Sequence, residues 1–245
     1  MRKLGVIGGM SWVSTAMYYE QINKGVSRRS GGLTSAPLLL ESLDFAPIAQ
    51  MQAAGDWDGL AGMLGESARR LEAAGAEGLV IASNTMHKIH DEVVADIGIP
   101  SLHICDATGA RLVKDGVQRA ALIGTRFTMS ESFYRERIES YGITVTTPDP
   151  AMMKEIDRII YEELTKGVVS RVSQRTLKTC LTLLAQARNQ AVILGCTELV
   201  MLVDPGANVI PVYDTTAIHS QAAVDWILDE QAEATAQEMV PAASA

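Results

Sequence analysis

Residues 79–85 read LVIASNT, and residues 192–198 read VILGCTE. Each is an apolar run that ends in small polar side chains. A second pair has the same form: residues 6–9 read VIGG and residues 122–125 read LIGT. The separations are nearly equal, 113 residues for the first pair and 116 for the second. In both halves a helical pattern precedes the second motif. Strand, helix and polar tip therefore recur together, which predicts two related α/β halves. One is built around residues 1–103, with 211–229 returning to it, and the other around 104–210. The Ala-rich stretch 230–245 lacks strong packing signals and is expected to be a loose tail.

The same alternation runs along the chain. Candidate strands cover 4–7, 37–41, 79–82, 101–104, 120–123, 144–146 and 191–194. The first, third, fifth and last are nearly all apolar, as parallel strands covered on both faces should be. Residues 56–73 place Leu60, Met63, Leu64, Ala68 and Leu71 at helical spacing, and 130–141, 151–164, 173–187 and 215–228 are similar. The expected fold class is α/β with parallel sheets.

Composition narrows the function. The 245 residues are 47% hydrophobic and 20% charged, a globular balance. A net charge of −8 with no lysine- or arginine-rich face argues against nucleic acid as a partner. No apolar run approaches a membrane span, and MRKLGVIGG has no long apolar segment of a signal peptide. Three cysteines, Cys105, Cys180 and Cys196, show no CxxC spacing. That fits a reducing cytoplasm better than a disulfide framework.

In parallel α/β sheets ligands gather beyond the carboxyl ends of the strands. Four strand ends carry unusual tips: Gly8-Gly9-Met10-Ser11, Ser83-Asn84-Thr85, Thr125-Arg126-Phe127-Thr128 and Cys196-Thr197-Glu198. Each has a plainer reading. Gly8-Gly9 can be a tight strand-to-helix turn, and it is not the GxGxxG of dinucleotide sites. Ser83, Asn84 and Thr85 can cap a helix starting near His87. Cys196 can be a small buried hydrophobe. Cys105 and Cys180 read as core or surface cysteines. His87, His90, His103 and His219 lack metal-ligand spacing and read as capping or packing residues, so no metal is expected. The plain readings leave the symmetric recurrence of polar tips unexplained. If the halves face each other, Ser83 and Cys196 become pseudo-symmetric partners across one cleft, with Asn84, Thr85 and Thr197 available for a carboxylate.

The motifs GVIGGMSW, SNTMH, IGTRFTM, EELTKG, GCTEL and YDTTAIH resemble the aspartate/glutamate racemase family, within the aspartate/glutamate/hydantoin racemase superfamily. The likeness runs from Leu4 to about Leu228. It implies two pseudo-symmetric Rossmann-like halves with the active site between them, no cofactor (pyridoxal phosphate included), a small dicarboxylic amino-acid substrate, and a homodimer. In that family two cysteines flank the α-carbon, one removing the proton and the other returning one from the opposite face. A thiol of pKa ~8.5 lies close to operating pH and suits that work. Cys196 matches the second-half cysteine. Ser83 stands where the first-half cysteine belongs, a departure that makes it a weakened acid/base. The family pattern then implies that Cys196 takes the proton from the L-enantiomer. Met10, Asn84, Thr85, Thr197 and Glu198 match cavity-lining residues, and Thr125 sits at the equivalent tip. Lys166 resembles the family lysine that meets the distal carboxylate. Some aspartate-specific members carry an arginine after the second strand. LLLESLDFAPIAQMQ has none, and Gln52 is the substitute. Two other functions share these residues: a one-cysteine decarboxylase or isomerase of the superfamily, and a binding protein with degenerate catalysis.

Overall fold

The computed structural model describes residues 1–204 and 206–228. They form two compact units: Met1–Ile104 with the chain from His219 onward, and Cys105–Ile218. The first unit holds β1 (Leu4–Gly8), α1 (Trp12–Ser30), β2 (Leu38–Ser42), α2 (Phe45–Ala54), α3 (Trp57–Ala73), β3 (Gly78–Ile81), a 3-10 turn (Thr85–Ile89), α4 (His90–Val94) and β4 (Ser101–Leu102). Helix α5 (Ile104–Lys114) starts on the last residue of the stretch Met1–Ile104 and continues into the second unit. There follow β5 (Arg119–Gly124), α6 (Arg126–Ser130), α7 (Ser132–Glu139), β6 (Thr144–Thr146), α8 (Pro150–Glu162), a 3-10 turn (Leu164–Lys166), α9 (Arg171–Gln186), β7 (Ala191–Gly195), a 3-10 turn (Thr197–Met201) and β8 (Val212–Asp214). Helix α10 (Thr215–Leu228) begins in the second unit and ends in the first.

Each unit is built on a four-stranded parallel sheet, and the two sheets have the same topology: β2-β1-β3-β4 and β6-β5-β7-β8. The expected α/β class and the parallel sheets are both present. The repeat extends to the register. Val6 pairs with Val80. Moving the first by 116 residues and the second by 113 gives Leu122 and Ile193, which pair in the second sheet. The sequence echo is thus an echo of hydrogen-bonded register.

The inner strands β1, β3 and β7 are buried at every residue, whereas β2 and β4 are not. In the first sheet, Leu4, Val6 and Val80 face Tyr18, Ile22 and Val26 of α1 and Val224 and Trp226 of α10. Ile7, Leu79 and Ile81 face the opposite way, toward Leu60, Leu64 and Ala68 of α3. That is the period-two alternation of a strand with an apolar layer on each face. In the second sheet, Ala121, Ile123, Val192 and Leu194 pack on Ile156, Ile159 and Ile160 of α8 and Leu177, Leu181 and Leu184 of α9.

Capping fixes where helices start. Asp56 accepts from the Gly59 amide at 3.0 Å to open α3. Asp149 accepts from Ala151 and Met152 at 2.9 and 3.0 Å to open α8, with Pro150 at the first helical position. Three expectations change in detail. The strand expected over 101–104 stops at Leu102, because Ile104 already begins α5. The single helix expected over 130–141 is two, α6 and α7, separated by Glu131 in an extended conformation. The helix expected near His87 begins as a 3-10 turn. The stretch 230–245, expected to be a loose tail, lies outside the described residues.

Gly8 and Gly124 hold equivalent places at the ends of β1 and β5, for the same steric reason. A Cβ on Gly8 would lie 2.5 Å from the Thr15 side chain, and one on Gly124 would lie 2.4 Å from Thr128 Oγ1 and 2.6 Å from the Gly195 carbonyl oxygen. The backbone of β7 cannot step aside as a side chain can. Gly124→Ala is therefore expected to destabilise the protein by about 1–3 kcal/mol, the usual cost of overpacking. Urea unfolding of the two alanine variants checks this: the Gly124 midpoint should fall further than that of Gly8→Ala.

Candidate active site

Both units place their polar tips at the carboxyl ends of their two inner strands. After β1, Gly9 has φ +88°, a left-handed conformation suited to glycine. Its amide donates to Thr15 Oγ1 at 2.7 Å, and Ser11 caps α1 by accepting from the Ser14 amide. After β5, Thr125 caps α6 by accepting from the Thr128 amide at 3.4 Å. In both units a threonine hydroxyl of the new helix donates back to the carbonyl of its cap, Thr15 to Ser11 and Thr128 to Thr125, each at 2.9 Å. Here the plain reading holds in part: these tips are strand-to-helix turns.

The tips after β3 and β7 differ. Asn84 stands at the N-cap of the 3-10 turn, but its side chain makes no capping bond. Cys196 stands at the N-cap of the turn Thr197–Met201, also with no side-chain capping bond. The capping reading of Ser83-Asn84-Thr85 is thus not supported at Asn84. Ser83, Asn84 and Thr85 are nonetheless buried, as are Cys196, Thr197 and Glu198. The Cys196 thiol lies 3.1 Å from Glu198 Oε2, to which it donates, and the Thr197 hydroxyl donates to the same oxygen at 2.6 Å. Burial pushes the thiol well above its ordinary value, and the Glu198 charge beside it pushes it further. The sequence reading placed this thiol near operating pH. The structure corrects it: in a buried site beside a carboxylate, Cys196 rests as the protonated thiol.

This reading has a spectroscopic consequence. Removing the negative charge in Glu198→Gln should let the thiolate form at lower pH, because the like charge opposing it is gone while burial remains. The thiolate's ultraviolet absorbance, followed against pH, should shift downward relative to wild type. An unchanged titration would mean that the carboxylate does not govern Cys196.

The sequence pattern of the Asp/Glu/Hydantoin racemase family matches residues 7–223. The chain belongs to this family. It is 45% identical to a Yersinia pestis protein of known structure, described as a candidate Asp/Glu racemase, over 94% of this chain and 100% of that one, with a TM-score of 0.88. It is 31% identical to an aspartate racemase homologue from Pyrococcus horikoshii OT3, over 94% of this chain and 100% of that one, with a TM-score of 0.81. It also shares 22% identity over 173 residues with the broad specificity amino-acid racemase RacX of Bacillus subtilis, 68% of this chain and 71% of that protein.

Within this racemase family member, the sequence-predicted residues fall as follows. Ser83, Asn84, Thr85, Met10 and Gln52 lie in the first unit, and Thr125, Lys166, Cys196, Thr197 and Glu198 in the second. Met10 packs into the apolar cluster with Ile7, Ile48 and Met86. Gln52, on α2, is buried, and its Oε1 has no hydrogen-bond partner. Lys166, itself exposed, ends a 3-10 turn that packs against the turn Thr197–Met201. Cys105 and Cys180 are buried, and burial pushes both thiols up, Cys180 to about 12. Among the described residues, no group of three or more His, Cys, Asp or Glu is placed to hold a metal ion, and no helix is long and apolar enough to cross a membrane.

Two groups escaped the sequence reading, and a third was read only as a capping or packing residue. Tyr161 of α8 packs against the core cluster that contains Cys196, and burial pushes its hydroxyl up. Asp157, also on α8, accepts from the Arg126 amide at 2.7 Å, holding the start of α6 beside the Thr125 tip. The periodicity of α8 shows its buried isoleucines but not what its polar residues touch. The third group is His87. Its ring donates through Nδ1 to the Ser83 carbonyl oxygen at 2.7 Å, a contact without any sequence pattern.

Proposed function

We propose that this racemase interconverts the enantiomers of aspartate or glutamate without a cofactor, using Cys196 and Ser83 on opposite faces of the α-carbon. The observation that carries the reading is the equivalence of the two residues. Shifting Ser83 by the same 113 residues that relate the registers of β3 and β7 lands on Cys196. Inverting a stereocentre by proton exchange needs a base on one face and an acid on the other, and a duplicated strand tip supplies one group per half.

The steps follow from the bonds present. Glu198, which already accepts from the Cys196 thiol, takes its proton, and the thiolate removes the α-proton of the L-substrate. The carbanion then takes a proton from Ser83, water reprotonates the serine oxygen, and the hydroxide left takes the proton held by Glu198, which restores the site. Fixed donors must hold the negative charge that builds on the substrate carboxylate, and Asn84, Thr85 and Thr197 are assigned that task. Thr125 and Met10 are assigned to contact the substrate. Lys166 meets the distal carboxylate, and Gln52 is assigned to help it through its side-chain NH2, the only part of that amide able to donate. The protein acts as a cytoplasmic homodimer.

The test is exchange of the substrate α-proton in deuterated water, run separately on L- and D-aspartate and L- and D-glutamate. Deuterium entry together with formation of the other enantiomer supports the racemase. Loss of carboxylate with deuterium entry at one face would replace it with a decarboxylase.

A further inference from the structure

We propose that His87 is a positioning residue that sets the Ser83 hydroxyl for its proton step. The inference rests on the assignment of Ser83 to the D-face above. His87 touches no reacting atom in this scheme and acts through the backbone of Ser83.

His87 Nδ1 lies 2.7 Å from the Ser83 carbonyl oxygen, and Nε2 lies 3.2 Å from the Ile104 amide nitrogen. A carbonyl oxygen can only accept and an amide N–H can only donate. Nδ1 therefore carries the proton, Nε2 is bare, and the ring is neutral. The backbone explains why a side chain is needed. In an α-helix starting at this tip, the residue 87 amide would bond to the Ser83 carbonyl. Here the turn is 3-10, and that amide bonds to the Asn84 carbonyl at 3.2 Å instead. The imidazole takes over the bond to Ser83. The Ser83 amide already donates to the Ile81 carbonyl at 2.8 Å, so both sides of the residue are fixed. The ring is itself held in place. It is buried, lies edge-on to His103 with centroids 4.4 Å apart, and stacks on His90 at 5.8 Å. His87 thus ties the polar tip of β3 to the first residue of α5.

Two substitutions separate the two bonds. In His87→Asn the amide nitrogen falls where Nδ1 stood, keeping the bond to Ser83 and losing that to Ile104. In His87→Gln the longer side chain puts its carbonyl oxygen where Nε2 stood, keeping Ile104 and losing Ser83. The readout is α-proton exchange in deuterated water from each enantiomer of aspartate and glutamate, with the folded fraction followed by circular dichroism. His87→Gln is expected to slow exchange from the D-enantiomer by about 10- to 100-fold, the scale of a small misplacement of a reacting group. Exchange from the L-enantiomer should stay at the wild-type rate, and His87→Asn should retain both. A purely structural histidine would lower both faces together, in step with the folded fraction. That result, or equal D-face rates in the two variants, overturns the proposal. If His87→Gln does not fold, a folded His87→Asn that has lost D-face exchange overturns it and one that has kept it supports it. Wild-type protein that exchanges neither enantiomer would sink the racemase reading itself, and this proposal with it. That failure is visible in the control before any variant is compared.

Discussion

Cys196→Ala is expected to abolish exchange of the substrate α-proton while leaving the fold intact. Cys196 supplies the thiol at a strand tip, whereas Cys105 and Cys180 are buried within α5 and α9. Its proton already has an acceptor in Glu198, so the route to the thiolate starts from a bond that exists. A positioned acid or base is worth about 10²- to 10⁴-fold in rate, and neither alanine nor serine can replace the thiolate. The structural cost should be small, about 1 kcal/mol, because the change removes one sulfur atom from a polar tip. Nuclear magnetic resonance of the α-proton and circular dichroism of the same sample check both halves of the prediction. Turnover at the wild-type rate in folded Cys196→Ala would remove Cys196 from the mechanism.

The second large effect is an asymmetry between enantiomers. In the proposed reaction, the L-substrate offers its α-proton to a thiol with a carboxylate beside it. The D-substrate offers its proton to Ser83, a hydroxyl that ionises far less readily. The equilibrium constant between enantiomers remains one in achiral solvent, so the asymmetry must appear in exchange. Cys196 can remove and return a proton many times before Ser83 completes an inversion. Deuterium should therefore wash into the L-substrate faster than D-product forms, and the D-substrate should exchange slowly. Ser83→Cys should raise D-face exchange and net racemisation together, by one to two orders of magnitude if the serine is the weak partner. Equal wild-type exchange from both enantiomers, or a Ser83→Cys variant that changes neither rate, would show that Ser83 does not limit the reaction.

Much of this was legible in the sequence because burial leaves a record. β1, β3, β5 and β7 are covered on both faces, so their apolar runs stand out. Strand β8 escaped because Val212-Tyr213-Asp214 is a short edge strand with a polar end, whose pairing with β7 depends on the remote residues Val192 and Leu194. Among the candidate site residues, Ser83 and Cys196 were singled out through their repeated strand context. The state of the Cys196 thiol was misread, although Glu198 stands two residues away in the sequence. Spacing alone does not say whether a carboxylate turns toward a neighbour or out to water. His87 shows a stricter limit. One of its bonds goes to a carbonyl that every residue type possesses, and the other to an amide 17 residues further on.

The division of the chain within α10 has a consequence for how the protein is made. The second unit, Cys105–Ile218, is one uninterrupted stretch. The first is not: Ala223, Val224, Trp226 and Ile227 form part of the wall against Leu4, Val6 and Val80. The Arg2 amide donates to the Ile227 carbonyl at 3.0 Å, and His219 Nε2 donates to the Leu102 carbonyl at 2.8 Å. On a ribosome, β1 emerges before the second unit and α10 only after it. The unit whose synthesis starts first is the one whose core is completed last. Until α10 arrives, the part of that face that α1 does not cover stays open to water and to other chains, while the later-made unit already has all its own strands.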